Sequence, residues 1–358
     1  MLVGGEGTRL RPLTLTRPKQ MLPVVEVPML ERVLAGLAAN GVDEAVLSLG
    51  YRPDAFVDAY PDGSAAGVRL VYAVEPEPLD TAGAIRFAAE RAGTEATTIV
   101  VNGDVLTDLD VGELVAFHRK SGAGATIALT PVEDPSRYGV VPTDRAGRVL
   151  AFVEKPPPGH APTNQINAGM YVIEPSVLAR IPAGRRVSVE RETFPEMVAD
   201  GSLFALSSGA YWLDTGTVSA YLQANRDLLS GLRGSLPAPG ARVMSDGVWQ
   251  IGRAETGGAR LVVSLLGDGA SLAAGSVVTR SVVGARCIVD AGCTIEDSVL
   301  LPGARIGRGA TIVESVVGEG ALVGARARIC DLSVVGDRQE IEAGRRLAGE
   351  RVPPGPVR

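Results

Sequence analysis

The stretch VGARCIVDAGCTIEDSVLLPGARI, residues 283–306, consists of six-residue repeats. An aliphatic residue leads each six, and glycine, alanine and other small residues fill the positions between. After a one-residue slip and a short interruption, the same pattern continues to about residue 340. This period is the signature of a hexapeptide β-helix, in which each turn stacks its aliphatic residues into a narrow core. We therefore predict a left-handed parallel β-helix over 263–340. The predicted leaders are Val283, Val289, Ile295, Leu301, Ile306, Ile312, Val323 and Ile329.

The segments around this repeat lack its period. Residues 232–262 are rich in Gly and Pro and predict a linker, whereas 341–358 predict a loosely ordered tail. A chain of 358 residues exceeds one ordinary core, so a separate N-terminal domain is expected over 1–231.

Residues 1–231 alternate between β-rich runs and amphipathic helices. This alternation predicts a Rossmann-like α/β domain with a mostly parallel mixed sheet, whose ligands bind beyond the carboxyl ends of the strands. The predicted strands are 45–51, 68–74, 97–104, 125–132, 148–155 and 166–174, with more strand in 202–216, and the predicted helices are 29–40, 81–93, 111–122, one near 188–200 and 217–231.

Composition excludes several classes of function. The net charge of −6 argues against a general nucleic-acid-binding protein. No apolar run reaches the roughly 18 residues of a membrane span. His118 and His160 are the only histidines, which leaves little room for histidine catalysis or a zinc site.

The cysteines point to a reducing compartment. Cys287, Cys293 and Cys330 form an odd set without C-x-x-C spacing, all inside the repeat. This usage is typical of free, buried thiols in the cytoplasm, and the first residues carry no export signal. We expect a cytoplasmic protein.

The opening residues predict an anion-binding loop. Gly4, Gly5 and Gly7 follow a short strand, and glycine lets backbone N–H groups approach phosphate closely. The loop is neither a Walker motif nor a dinucleotide fingerprint. Its basic residues follow at once, stiffened by prolines, so a polyphosphate ligand is expected. They are Arg9, Arg11 and Lys19.

Lysine is scarce enough to be informative. Of 35 basic residues only Lys19, Lys120 and Lys155 are lysines, so the chain uses arginine by default. Lys19 and Lys155 lie in the short motifs RPKQ and VEKP. Because an ammonium is a compact point charge and a guanidinium is not, we expect these two lysines to have specific roles.

Carboxylates at predicted strand ends could hold Mg²⁺, which polyphosphate chemistry usually needs. Asp104 follows an apolar strand and Asp214 lies in WLDTGT. Glu154 and Lys155 end another strand and could hold a sugar hydroxyl and a second phosphate, and Asn167 offers a donor and an acceptor.

The ordered series GGEGTRLRPLT, RPK, NGD, VEKP, NAG and WLDTGT resembles the sugar nucleotidyltransferase family. Together with the hexapeptide repeat, it is most similar to the bacterial mannose-1-phosphate guanylyltransferases of that family. The resemblance implies that a sugar 1-phosphate and a nucleoside triphosphate react to give a nucleotide-sugar and pyrophosphate. It also implies Mg²⁺ as cofactor and a homo-oligomer assembled through the β-helix, with no nucleic-acid or membrane partner.

The resemblance assigns a role to each matching residue. Arg9 and Lys19 would hold the triphosphate, and Asp104 and Asp214 the metal, with Arg9, Lys19 and Asp104 counted as catalytic. The sugar phosphate would lie against Gly139, Glu154, Lys155 and Asn167. The nucleotide would lie against Val3, Gly4, Gly5, Gly7, Thr8, Glu75, Asp80 and Gly83.

The sequence departs from the family pattern in two places. Only Met1, Leu2 and Val3 precede the glycines, where the family has a longer strand. The usual Leu-Gly-Thr-Ala-Gly stretch carries Asp80 at its first glycine. A trimmed chain or a misassigned start would explain the short strand. Asp80, beside the expected base or sugar, leaves the identity of the substrate open.

Glu75 favours guanine as the base. In relatives this turn borders the nucleobase, and a carboxylate can accept both of guanine's adjacent N–H donors. Thymine presents one N–H between two carbonyls, which an amide complements better. Glu75 thus favours GTP, and the resemblance implies mannose 1-phosphate as the second substrate.

Other functions stay open at this point. The enzyme could transfer thymidylate or uridylate to glucose 1-phosphate or to a cyclitol phosphate. The chain could instead be a non-catalytic subunit that senses nucleotide-sugars, although the loop cations and both carboxylates are retained. An acyltransferase β-helix is disfavoured, because that chemistry commonly uses a histidine and the repeat has none.

Overall fold

A computed structural model describes residues 1–233, 236–245 and 247–354. The chain divides into two compact units. The first unit joins Met1–Gly5 to Leu30–Trp212, and the second joins Glu6–Met29 to Leu213–Arg358. Within the described ranges, no helix is long and apolar enough to cross a membrane.

The helices are α1 Met29–Ala39, α2 Asp54–Ala59, α3 Asp80–Ala92, α4 Val111–Ser121, α5 Pro175–Leu178, α6 Phe194–Asp200 and α7 Val218–Leu229. Those predicted over 29–40, 81–93, 111–122 and 217–231 are observed close to these bounds, whereas α2 and α5 were not predicted. Local chemistry explains several ends: the Asp110 side chain accepts the Glu113 N–H at 3.0 Å at the start of α4. Gly93 and Gly122 end α3 and α4 in the left-handed conformation that glycine adopts without strain.

The N-terminal strands form a mixed arrangement. They are β1 Pro23–Val24, β2 Val27–Pro28, β3 Glu44–Leu49, β4 Ser64–Ala65, β5 Val68–Val74, β6 Thr98–Val101, β7 Val105–Thr107, β8 Ala125–Pro131, β9 Gly139–Val140, β10 Val153–Glu154, β11 Gln165–Ile173, β12 Leu203–Ser207 and β13 Trp212–Asp214. β3 pairs with β5, and β8 with β12, in parallel. The long strand β11 runs antiparallel to β6, β8 and β9.

Two predicted elements differ from the structure. The strand predicted over 148–155 is reduced to β10, because residues 148 and 149 make only isolated bridges. The helix predicted near 188–200 begins with a wide π-turn over Val189–Thr193. Pro195 stands at the start of α6 and cannot donate a backbone N–H, which fits a break in helical geometry there.

The first residues of the chain bridge two strands. Leu2 forms parallel bridges to Ser48 of β3 and to Asn102 just beyond β6. The Leu2 N–H donates to the Val101 carbonyl at 2.9 Å, and the Val3 N–H donates to the Ser48 carbonyl at 3.2 Å. Short as it is, this segment fixes where the glycine loop begins.

The C-terminal part is a parallel β-solenoid of about six turns. Its three faces are ladders of short parallel strands, apart from the antiparallel hairpin β14–β15. One ladder is β15 Val248–Gln250, β17 Ser264–Leu266, β20 Val282–Val283, β23 Val299–Leu300, β26 Val316–Val317, β29 Val334–Val335 and β32 Arg351–Val352, with β14 Arg242–Ser245 at its edge. The second is β16 Arg260–Val262, β19 Val277–Thr279, β22 Thr294–Glu296, β25 Thr311–Val313, β28 Arg328–Cys330 and β31 Arg346–Ala348. The third is β18 Ser271–Leu272, β21 Ile288–Val289, β24 Arg305–Ile306, β27 Leu322–Val323 and β30 Glu340–Ile341.

The slip in the sixfold pattern recurs, because most turns are 17 residues long. Val283 pairs with Leu300, and Leu300 with Val317, in register. Buried serines repeat the spacing: the Ser298 N–H donates to the Ser281 hydroxyl, 17 residues earlier, at 3.0 Å. The predicted leader Leu301 was therefore wrong by one residue: Leu300 occupies the core, and Leu301 is buried outside it.

The solenoid extends past the predicted bounds at both ends. β15 and β16 belong to it, although their residues were predicted to be linker. β31 and β32 also pair with the ladders, so the prediction of a loosely ordered tail was wrong for 341–352. Gly and Pro at the solenoid corners resemble linker composition, which is why the sequence misled here. Residues 234, 235, 246 and 355–358 of these segments lie outside the described residues.

The thiols are free, and two of them are fully buried. Cys287 and Cys293 lie in the solenoid core, as predicted, and burial raises the pKa of the Cys287 thiol to about 12. Cys330 is only partly buried. The core thiols are therefore unreactive at neutral pH.

Candidate active site

Three predicted motifs meet in the first unit. The Gly103 N–H donates to the Leu2 carbonyl at 2.9 Å, which holds the Asn102–Asp104 turn against the start of the glycine loop. The Asn102 N–H donates to the Gly169 carbonyl at 2.8 Å, which joins the same turn to the NAG motif. Asp104 is half-buried in this turn.

Gly4 marks a close backbone approach. A Cβ on Gly4 would lie 3.2 Å from the Gly50 nitrogen and 3.6 Å from Glu75 Oε1. Gly5, the next residue, is exposed. The start of the loop thus keeps its backbone accessible while packing against the end of β3.

Glu75 is half-buried and supports its own turn. Its Oε1 accepts the Ser48 hydroxyl at 2.9 Å, and its Oε2 accepts the Leu79 N–H at 3.1 Å. Each carboxylate oxygen retains a second lone pair, so these bonds do not prevent it from accepting N–H groups of a base.

Asp80 occupies a backbone conformation that favours glycine. Its φ is +59°, which explains why the family pattern has glycine here, and aspartate tolerates this conformation better than most residues. Its Oδ2 accepts a hydrogen bond from Arg191 Nη2 at 2.6 Å, and Arg186 lies 4.0 Å away. These arginines, which the sequence analysis missed, carry no motif around them.

Gly83 lies inside the packing of α3. A Cβ on Gly83 would come within 2.5 Å of the Arg185 carbonyl oxygen, and its N–H lies 3.2 Å from the Val187 carbonyl. The glycine is therefore required by segment 185–187, and its contact with the nucleotide stays a prediction.

Three of the four predicted sugar-phosphate residues, Gly139, Glu154 and Lys155, form a second cluster in this unit. Glu154 pairs with Gly139 across β9 and β10, and a Cβ on Gly139 would lie 3.1 Å from Glu154 Oε2. Lys155 Nζ lies 2.9 Å from Glu154 Oε1, and its ammonium end is exposed. Lys155 has a φ of +47°, and its N–H donates to the Tyr138 carbonyl at 3.0 Å.

Asn167 lies at an irregularity in β11, where the pairing with β8 shifts register before Tyr171. Its Nδ2 donates to the Tyr171 hydroxyl at 2.8 Å, and its Oδ1 accepts the Gly169 N–H at 2.9 Å. Gly169 has a φ of +75° and no room for a Cβ beside Asn102. Asn167 thus shapes the bulge that contacts the Asn102 turn.

The rest of the glycine loop belongs to the second unit. Gly7 adopts a φ of +62°, and a Cβ there would lie 2.9 Å from Thr14 Cγ2 and 3.0 Å from Lys19 Cβ. The Thr14 hydroxyl donates to the Gly7 carbonyl at 2.8 Å. Thr8 begins a short 3₁₀ turn, Thr8–Leu10, and Lys19 begins another, Lys19–Met21. Glycine at position 7 therefore lets Lys19 fold back beside the loop.

Arg9 and Asp214 also meet in the second unit. Arg9 Nη2 lies 3.9 Å from Asp214 Oδ2, with the two side chains 57% and 23% exposed. Asp214 Oδ1 accepts the Gly216 N–H at 2.8 Å, and a Cβ on Gly216 would overlap the Arg9 guanidinium. The structure thus pairs a predicted phosphate-binding cation with a predicted metal ligand.

Comparison with known proteins identifies the family. The sequence profile of the nucleotidyl transferase family matches residues 1–231, and that of the GMPPB C-terminal domain matches residues 262–355. The chain belongs to the nucleotidyl transferase family. It is similar to a mannose-1-phosphate guanylyltransferase of Mycobacterium tuberculosis, with 41% identity over 300 residues, 78% of this chain and 82% of that protein.

Two further proteins extend the comparison. A probable mannose-1-phosphate guanylyltransferase of Oryza sativa is 39% identical over 253 residues, 69% of each chain. The crystal structure of HddC from Yersinia pseudotuberculosis complexed with GMP-PN matches with a TM-score of 0.55 and 30% identity, over 63% of this chain and 96% of that one.

The carboxylates fit a hard divalent cation. Nucleotidyltransferases of this family generally use Mg²⁺. Within the described ranges, no three His, Cys, Asp or Glu side chains cluster as a protein-only metal site. Mg²⁺ is commonly held by one or two carboxylates plus substrate phosphates, so the oxygen donors of Asp104 and of Asp214 each suit such a cation.

Proposed function

We propose that this chain transfers guanylate from GTP to mannose 1-phosphate, giving GDP-mannose and pyrophosphate. The observation that carries the proposal is the meeting of the glycine loop, the Asn102–Asp104 turn and the NAG bulge through the hydrogen bonds of Leu2 and Asn102. The relatives named mannose-1-phosphate guanylyltransferase support the choice of substrates.

The chemistry needs charge compensation more than proton transfer. The nucleophile is a phosphate oxygen that is already anionic at neutral pH, so no general base is required. One anion must attack the α-phosphorus of another, and charge moves to the departing pyrophosphate. Fixed cations lower such a barrier when they face the charge that develops.

The residues divide this task. Arg9 and Lys19 hold the triphosphate and the departing pyrophosphate, while Lys155 holds the sugar phosphate with Glu154, Gly139 and Asn167 around the sugar. Asp104 and Asp214 are the residues that would hold Mg²⁺, which would neutralise phosphate charge when bound. Asp214 also orients Arg9 through their contact at 3.9 Å.

A substrate panel tests the proposal. GTP, dTTP, UTP and ATP would each be combined with mannose 1-phosphate, glucose 1-phosphate and a cyclitol phosphate, and pyrophosphate release followed. We expect the highest kcat/KM for GTP with mannose 1-phosphate. Release with no pair would favour a sensing subunit, whereas a higher kcat/KM for another pair would change the assigned substrates.

Glu75→Gln is expected to lower the preference for GTP over dTTP roughly 5- to 150-fold. The amide loses one acceptor oxygen, so one N–H of guanine stays unsatisfied, which costs roughly 1–3 kcal/mol. The ratio of kcat/KM values for the two triphosphates measures this. Glu77→Gln, an exposed neighbour in the same turn, is the control. An unchanged ratio in Glu75→Gln would remove this residue from base recognition.

Assembly and location stay predictions. We propose a homo-oligomer formed through the solenoid, in the cytoplasm. Light scattering on the full chain tests the first point, and a monomer at assay concentration would contradict it.

A further inference from the structure

The phosphate-binding loop, residues 8–22, contacts the solenoid through ion pairs of Arg17. Its Nη2 lies 2.5 Å from Glu319 Oε2 and 2.8 Å from Asp337 Oδ2. The hydroxyl of the preceding residue, Thr16, donates to the same Asp337 oxygen at 2.6 Å. The Arg17 side chain is 22% exposed, so this ion pair is only partly screened by solvent.

The acceptor is rigidly held by the solenoid itself. Asp337 is 7% exposed, and its other oxygen accepts the Glu319 N–H at 2.8 Å. Next to it, a Cβ on Gly336 would lie 3.1 Å from Pro12 Cβ and Cγ, so Pro12 packs on bare backbone. The loop therefore contacts a surface that two solenoid turns have already fixed.

A second anchor lies at the other end of the loop. Glu26 Oε2 accepts the Ala285 N–H at 3.1 Å. Cβ atoms on Gly267 and Gly284 would come within 2.8 and 3.0 Å of the Glu26 carboxylate. Burial raises the pKa of Glu26. The Glu26 carboxylate thus lies against the bare backbone of two glycines, which the next solenoid turn also requires at these positions.

Lys19 lies between these anchors, two residues after Arg17. Its Cβ packs against Gly7, so the position of Lys19 and the fold of the glycine loop depend on each other. We propose that Arg17, clamped by Asp337 and Glu319, is a positioning residue that holds the phosphate-binding loop in its working conformation. The solenoid would then contribute to nucleotide binding and not only to assembly. This inference rests on the proposed function.

Arg17→Met tests the clamp, because methionine keeps an unbranched stem and removes the charge. We expect kcat/KM for the nucleoside triphosphate to fall about tenfold, since small misplacements of a binding group are costly. The KM for the sugar phosphate should stay within about twofold. Arg17→Lys should recover part of the loss, and adding Asp337→Asn to Arg17→Met should cost little more, as expected for residues that act as a unit.

Arg280→Met is the matched control. Arg280 is also clamped by two carboxylates of the solenoid, at 2.7 Å from Glu296 and 2.6 Å from Asp297, but lies outside the loop. Its loss should leave triphosphate kinetics unchanged. If both variants lowered kcat/KM equally, the effect would be general loss of solenoid stability and the proposal would be wrong.

Hydrogen exchange separates this inference from the proposed activity. Arg17→Met should speed amide exchange in residues 8–22, whereas Arg280→Met should not, with unfolding midpoints of both within a few degrees of the parent. This holds whatever substrates the enzyme uses. Unchanged exchange in 8–22 would overturn the clamp even if the substrate panel confirmed GTP and mannose 1-phosphate.

Discussion

Asp104→Asn should lower kcat by roughly 10²–10³-fold, the scale seen when one preorganised charge-stabilising group is removed from an active site. Asparagine keeps the size of the side chain and removes its charge, so the half-buried turn it occupies can be retained. Asp214→Asn should cause a similar loss, with an added rise in KM for the triphosphate, because Arg9 also loses its carboxylate partner.

The measurement is steady-state pyrophosphate release, with the thermal unfolding midpoint recorded for each variant. Asp62→Asn, in an exposed turn, controls for loss of one negative charge and should have parental activity. EDTA should abolish activity in the parent, and added Mg²⁺ should restore it. Asp104→Asn with parental kcat would remove this residue from the site.

Sequence reasoning worked best where one residue's role is set by its near neighbours. The α-helix predicted over 29–40 is observed as Met29–Ala39, because its apolar positions recur on one face. The solenoid could be predicted because every turn packs its aliphatic residues into the core in the same way. Even there, the core residue was placed at Leu301 and not at Leu300, because two adjacent leucines satisfy the pattern equally well.

Contacts between distant segments could not be predicted in this way. Arg17 and Asp337 are separated by 320 residues, and no local pattern marks either as a partner. Likewise Gly83 matched a nucleotide motif, but its lack of a Cβ is explained by the Arg185 carbonyl. Motifs therefore predicted which residues matter, whereas the structure showed which neighbouring atoms require a glycine at each position.

The other large loss of activity is expected at Lys19, one of only three lysines in the chain. Lys19→Arg should lower kcat/KM by roughly 10²-fold, because a guanidinium is bulkier, spreads its charge and bonds in a fixed fork. Lys19 is half-buried and its Cβ lies beside Gly7, so the base of the side chain is fixed and a guanidinium would carry its charge to a different position. Lys155→Arg should cause a smaller loss, mainly in the KM for the sugar phosphate, because its end is exposed beside Glu154.

Lys120→Arg, on the exposed face of α4, is the control and should have parental kinetics. Kinetics with each substrate varied in turn measure all three, and equal behaviour of the three variants would show that arginine was absent from these positions by chance.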